Sequence, residues 1–241
     1  MNLSNTVTRI KMKLGLLNIA TVFENLDETI VEILQEFTIP DFSVFNPVRD
    51  KITVNTTTDL QLIDKKDIYE EYLLPEFNTR KLLYVFDVNY DTSILSGLGY
   101  FAGGMPLMQG SLVNQVMLSN AGASLMNTMI PKMTFEFTHP RSLKIYNAYS
   151  STKIVIELGF EHDKTMASIP DTCRESFMKL ALLDVKSNLY PTLKQYTEIN
   201  TAIGNINLKI DDWANAESER NDLIKEWEDT YHLDLMNTYY I

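Results

Sequence analysis

The chain has 241 residues, 45% of them hydrophobic and 10% aromatic, which is enough to fill a core and excludes disorder throughout. Its 21 basic and 32 acidic residues leave a formal charge of −11, a balance that argues against wrapping nucleic acid or coating an anionic membrane. Cys173 is the single cysteine, so no intrachain disulfide can form, and with no secretory pattern in the opening residues this points to a reducing cytoplasm.

In chain order, residues 3–37 read as two helices. Ser4 or Asn5 is placed to cap the first, with Val7, Ile10, Leu14 and Leu17 at helical spacing. Leu26, Ile30, Ile33, Leu34 and Phe37 stripe the second, and Asp27 and Glu28 sit at its positive end. Pro40 and Pro47 are expected to bracket an extended connection. KITVNTTTDLQLI (51–63) alternates and reads as one or two strands. DIYEEYLLPEF (67–77) reads as a short helix stopped by Pro75, and KLLYVFDVNY (81–90) as an internal strand.

Residues 132–162 hold three alternating segments broken at HPR and AYSST, the pattern of an antiparallel meander. From Ser168 and Pro170 the chain turns helical. Phe177 through Val185 are apolar around most of the circumference, and Pro191 is expected to kink or split this helix. INTAIGNINLKI (199–210) suggests a hairpin about Gly204-Asn205. Asp211 or Asp212 then caps a last helix reaching about Tyr231, with Trp213, Ala216, Leu223, Ile224 and Trp227 on one face. The fold class expected is α+β: N-terminal helices, an antiparallel β-meander, a long apolar insertion and C-terminal helices packed on the sheet. Residues 1–91 and 132–241 form one domain in this reading, with 92–131 an insertion or arm and 233–241 a tail.

The insertion is the unusual feature. From Thr92 to Pro131, 40 consecutive residues carry no Asp, Glu, Lys, Arg or His, and 17 of their side chains are large and apolar. Three readings compete. The run can be ordinary core, with a glycine-rich loop to 110 and a helix over 111–129. It can be an oligomer loop whose methionine-rich surface repacks against neighbours. It can insert into a membrane over 94–131, although Gln109, Asn114, Gln115, Ser119 and Asn120 interrupt any apolar span of transmembrane length. The oligomer reading makes Leu98, Tyr100, Phe101, Met105, Leu107, Met108, Val113 and Met117 interface residues, together with Tyr239, Tyr240 and Ile241 of the tail.

Catalytic chemistry is not advertised. GLGYFA (97–102) fits a dinucleotide fingerprint in form only, since Gly103, Gly104 and Pro106 block the helix that must follow. His139, His162 and His232 are scattered, and the cluster Glu161-His162-Asp163 reads as a solvated turn rather than a metal site. Cys173 in a first helical turn reads as a small buried residue, and Asp211-Asp212 as helix capping. The expectation is no enzyme, no cofactor and no metal.

The stretch SFMKLALLDVKSNLYPTLKQYTEINTAIGNINLKIDDWANAESERNDLIKEW (176–227) resembles virion structural proteins of contractile-tailed bacteriophages, the neck, connector or baseplate subunits. The resemblance covers about the last 110 residues. It implies a homo-oligomeric ring, other virion proteins as partners, DNA passing nearby without sequence-specific binding, synthesis in the host cytoplasm and a place in the virion. A baseplate or tail component is the nearest alternative, and a membrane-active protein inserting 94–131 the distant one.

Overall fold

A computed structural model describes residues 1–17, 25–91, 133–146, 153–194, 198–201, 204–207 and 210–231. These fall into two compact units. One takes its residues from Met1–Val48, Asn78–Leu83 and Phe160–Met236, and the other from Arg49–Phe77 and Tyr84–Gly159.

The first unit is helical. Helix α1 (Leu3–Leu14) starts two to three residues earlier than a cap at Ser4 or Asn5 implies, because the Asn2 side chain accepts the Ser4 N–H at 3.0 Å. It stops at Gly15, whose φ of 71° is left-handed and lets Leu16 N–H return to the Lys11 carbonyl at 2.8 Å. Helix α2 (Leu26–Ile33) continues through a π-helical turn, Leu34–Thr38, into α3 (Ile39–Phe45). The expected extended stretch after Pro40 is therefore helix. Pro40 occupies the first turn of α3, and Ile39 N–H reaches back to the Leu34 carbonyl, the widened register that admits a residue without a donor.

A short 3₁₀ turn, Asp171–Cys173, leads into α4 (Arg174–Leu193). Pro191 lies in the last turn of α4, where the helix ends two residues later instead of splitting in mid-course. Trp213 lies in a second 3₁₀ turn, Asp211–Asn215, which precedes α5 (Ala216–Tyr231). Ile210, not an aspartate, takes the N-cap place, and its carbonyl accepts the Trp213 N–H at 2.9 Å. These helices share one core. Ile10, Ile30, Leu34, Ile39, Phe177, Leu180, Ala181 and Val185 are fully enclosed in it. Phe42 meets Phe177 edge-on with centroids 5.2 Å apart and Trp227 at 6.0 Å.

The second unit holds the strands of the two larger sheets. In chain order they are β1 (Val48–Asn55), β2 (Gln61–Lys65), β3 (Tyr69–Leu73), β4 (Leu82–Tyr90), β5 (Thr134–Thr138), β6 (Ser142–Tyr146) and β7 (Lys153–Phe160). They form a three-stranded sheet of order β1-β7-β4 and a four-stranded sheet of order β2-β3-β6-β5. The α+β class with antiparallel sheets stands, and three expectations change within it. Residues 69–73 are strand, not helix, because pairing on both sides, with β2 and with β6, overrides the local pattern. β7 leaves the expected meander for the other sheet. β4 is an edge strand among the described ones, though Tyr84, Val85 and Val88 are buried. In the first unit, a small hairpin pairs β8 (Glu198–Thr201) with β9 (Gly204–Asn207), so Gly204 and Asn205 lie in a strand, opposite Thr201 and Asn200.

The four-stranded sheet has two unlike faces. Glu70, Tyr72, Leu143, Ile145 and Phe137 are buried on one. The other is polar, with Tyr69 edge-on to Tyr146, Lys144 3.8 Å from Glu136, and Ser142 donating to Glu71. Strict alternation along β3 and β6 produces this division.

Candidate assembly surfaces

The interface residues expected from sequence, Leu98, Tyr100, Phe101, Met105, Leu107, Met108, Val113, Met117, Tyr239, Tyr240 and Ile241, all lie outside the described residues, as does the GLGYFA stretch. The described residues contribute three other features.

The first is a pair of buried polar networks. Asp184 on α4 is 1% exposed. It accepts from the Thr38 hydroxyl at 2.7 Å and from Arg220 Nε at 2.5 Å, while the other end of the Arg220 guanidinium donates to Asp41. Burial pushes the Asp184 carboxyl above the usual carboxylate range, opposed by the bonds from Thr38 and Arg220. His162 is buried rather than solvated, which corrects the reading of Glu161-His162-Asp163 as an exposed turn. Its Nε2 lies 2.8 Å from the Asn46 carbonyl and its Nδ1 2.9 Å from the Ser168 hydroxyl. A carbonyl only accepts, so Nε2 carries the proton and Nδ1 accepts from Ser168. Burial lowers the His162 pKa and keeps the ring neutral. Both networks are fully hydrogen-bonded: among the described residues no buried side-chain nitrogen or oxygen lacks a partner. The Asp184 network ties α3, α4 and α5 together, and the His162 network ties the 162–168 segment to the end of α3. Cys173 is half-buried and receives the Asn46 amide at 2.9 Å.

The second is an open groove between α4 and α5, of about 450 Å³. Leu182, Leu183 and Leu223 form its floor, Lys179 and Lys186 one rim, and Glu219, Asp222 and Glu226 the other. The groove is shallow and lacks the convergent donors of a small-molecule site.

The third is a cluster of exposed aliphatic side chains. Six large hydrophobic residues are exposed among those described, and three of them, Leu62, Ile63 and Ile68, fall within seven residues on β2 and the turn after it. Sequence alternation did not single these out, because isolated aliphatics in a short strand carry no signal of which side remains uncovered. Among the described residues, no group of three or more His, Cys, Asp or Glu could hold a metal ion, and no helix is long and apolar enough to cross a membrane.

Satisfied polar clamps inside and unsatisfied apolar surface outside are features of a protein that works by packing against others. Comparison with protein families places it accordingly, since the model described as bacteriophage ring protein matches residues 1–237. The chain is a structural protein of the bacteriophage virion, and it belongs to the bacteriophage ring protein family. A search of curated proteins finds no match.

Proposed function

We propose that this chain is the ring-forming subunit of the neck or head–tail connector of a contractile-tailed phage, joined to neighbouring copies through residues 92–131 and the tail 233–241. The observation that carries the reading is the 40-residue uncharged run with its 17 large apolar side chains, in a member of a ring family. A lone subunit of this size gains by sharing such a surface with a neighbour. A net charge of −11 suits a conduit through which DNA slides without sticking. Such a subunit acts by assembly and needs no cofactor.

The test is deletion of residues 97–130 followed by sedimentation of the purified chain. A soluble, folded monomer that no longer forms rings supports the reading. Loss of the β5–β6 hairpin and of α4 in that variant shows that the run is core instead. Flotation with neutral liposomes addresses the membrane alternative, and binding there would replace the assembly role. Antibody labelling of intact virions locates the ring: label at the head–tail junction supports the neck position, and label at the far end of the tail assigns it to the baseplate.

A further inference from the structure

A closed ring of identical chains is built from heterologous contacts, so every copy must offer two different patches that fit one another. Among the described residues, the four-stranded sheet has two such candidates at its opposite ends, the outer edges of β2 and β5. The β2 edge is the more exposed. Leu62 is 48% exposed, Ile63 52% and Ile68 68%. Soluble proteins blunt a free edge with charge, proline or a bulge, since an open strand invites another to pair with it. β2 carries Asp64 and Lys65 at one end only, and the other end offers Leu62 and Ile63. Here a register shift between Leu62 and Asp64 leaves Ile63 with no partner on β3, so an aliphatic side chain occupies the irregular position.

The geometry points to a second copy of this chain as the occupant: the β2 edge of one subunit pairs with the β5 edge of the next. Three observations favour it. Every pair in the sheet is antiparallel, β2 with β3, β3 with β6 and β6 with β5. With four strands, the outer two therefore run in opposite directions. Placing the next copy's β5 beside β2 continues the alternation unbroken, so the sheet repeats from copy to copy with no parallel joint. The two strands are also equal in length, at five residues each. In the register that overlaps all five, Leu62 faces Phe137. Within one chain, Leu62 pairs with Tyr72, Tyr72 with Leu143 and Leu143 with Phe137. The joint extends this row and covers its exposed end. The inference rests on membership of the ring family and on the sheet, and is independent of the neck position and of residues 92–131.

The experiment uses the full chain under assembly conditions with mild oxidation. In the same register Ile63 faces Glu136, so Ile63→Cys and Glu136→Cys are prepared singly and together. A mixture of the two single variants is expected to yield a cross-linked heterodimer. The double variant is expected to give a ladder that ends at the ring's copy number, and the wild-type chain, with Cys173 alone, neither. Ile63→Lys, checked for an unchanged circular dichroism spectrum, is expected to weaken association at least about 30-fold, the size of one interface hot spot. Rings without the cross-link, rings as stable in Ile63→Lys as in the wild type, or a wild-type chain monomeric at every concentration would each overturn the proposal.

Discussion

Arg220 on α5 and Asp184 on α4 are joined by a hydrogen bond of 2.5 Å between Nε and Oδ1, and the same guanidinium also reaches Asp41 on α3. One side chain thus ties three helices that are distant in sequence. The carboxylate it holds is nearly inaccessible, whereas the arginine is 21% exposed. The asymmetry matters, because removing Arg220 strands a buried charge while removing Asp184 leaves a partly exposed cation that Asp41 still pairs.

Arg220→Ala is expected to destabilise the helical unit by about 3 kcal/mol, and Asp184→Asn by less. Trp213 and Trp227, the only tryptophans of the chain, both belong to this unit, so their fluorescence in urea reports it selectively. Without its partner, Asp184 gains a proton more readily in the folded state. The deficit of Arg220→Ala should therefore be largest near pH 7 and shrink as pH falls toward the carboxylate range. A deficit constant with pH would show that the pair carries no buried charge.

His162 sets an acid limit on the same unit. Its folded pKa is depressed by burial, so the unfolded chain binds the proton first. The stability that the neutral ring contributes is present above the unfolded value of about 6.5 and is lost as pH falls through that value toward the lower folded one. Unfolding free energy should decline more steeply between pH 7 and 5 in the wild type than in His162→Gln. Equal slopes would remove His162 from the account.

Tyr72 donates its hydroxyl to Glu70 on the buried face of the four-stranded sheet, beside the ion pair of Glu70 with Lys65. Burial, reinforced by that bond, raises the phenol to a pKa of about 12. This phenol should remain protonated in a spectrophotometric titration after ordinary phenols have ionised, and its contribution to the late step should vanish in Tyr72→Phe. The same substitution should cost about 1 kcal/mol, one net hydrogen bond. A late step undiminished in Tyr72→Phe would assign it to another residue.

Gly15→Ala isolates backbone strain. Its φ is +71°, and an added Cβ would meet nothing within 4 Å. The penalty is therefore conformational alone, about 1 kcal/mol, and Asn at this position should recover part of it. A larger loss in thermal or urea unfolding would indicate packing that the geometry of the site does not contain.

How much of this was legible beforehand depends on the range of the interactions involved. The stripes Leu26, Ile30, Ile33 and Trp213, Ala216, Trp227 mark buried helix faces in the sequence because a helix repeats within one turn, and each of these residues is buried. The β5–β6 hairpin was equally plain, its strands being separated by three residues. Residues 69–73 misled, since YEEYL alternates too briefly to outweigh its helical composition. The partner that decides it on one side, Ser142–Tyr146, lies about 70 positions away. Of the candidate surfaces, the acidic excess and the uncharged run were readable by eye, whereas the exposed edge at Leu62 and Ile63 was not. Exposure at an edge depends on what sits beside a strand, and no local pattern encodes that.

Composition, charge and short-range periodicity therefore set the class of this protein on their own: an acidic α+β chain that carries one long uncharged, apolar run. Strand order, the departure of β7 to a separate sheet, the strand at 69–73, the burial of His162 and the closure of Arg220 on Asp184 came from the fold alone. Helix stripes and hairpins are contacts between near neighbours, so the chain writes them as repeats. Sheet order and buried charge pairs join residues tens to more than a hundred positions apart, and their energies exist only once both partners have been brought together.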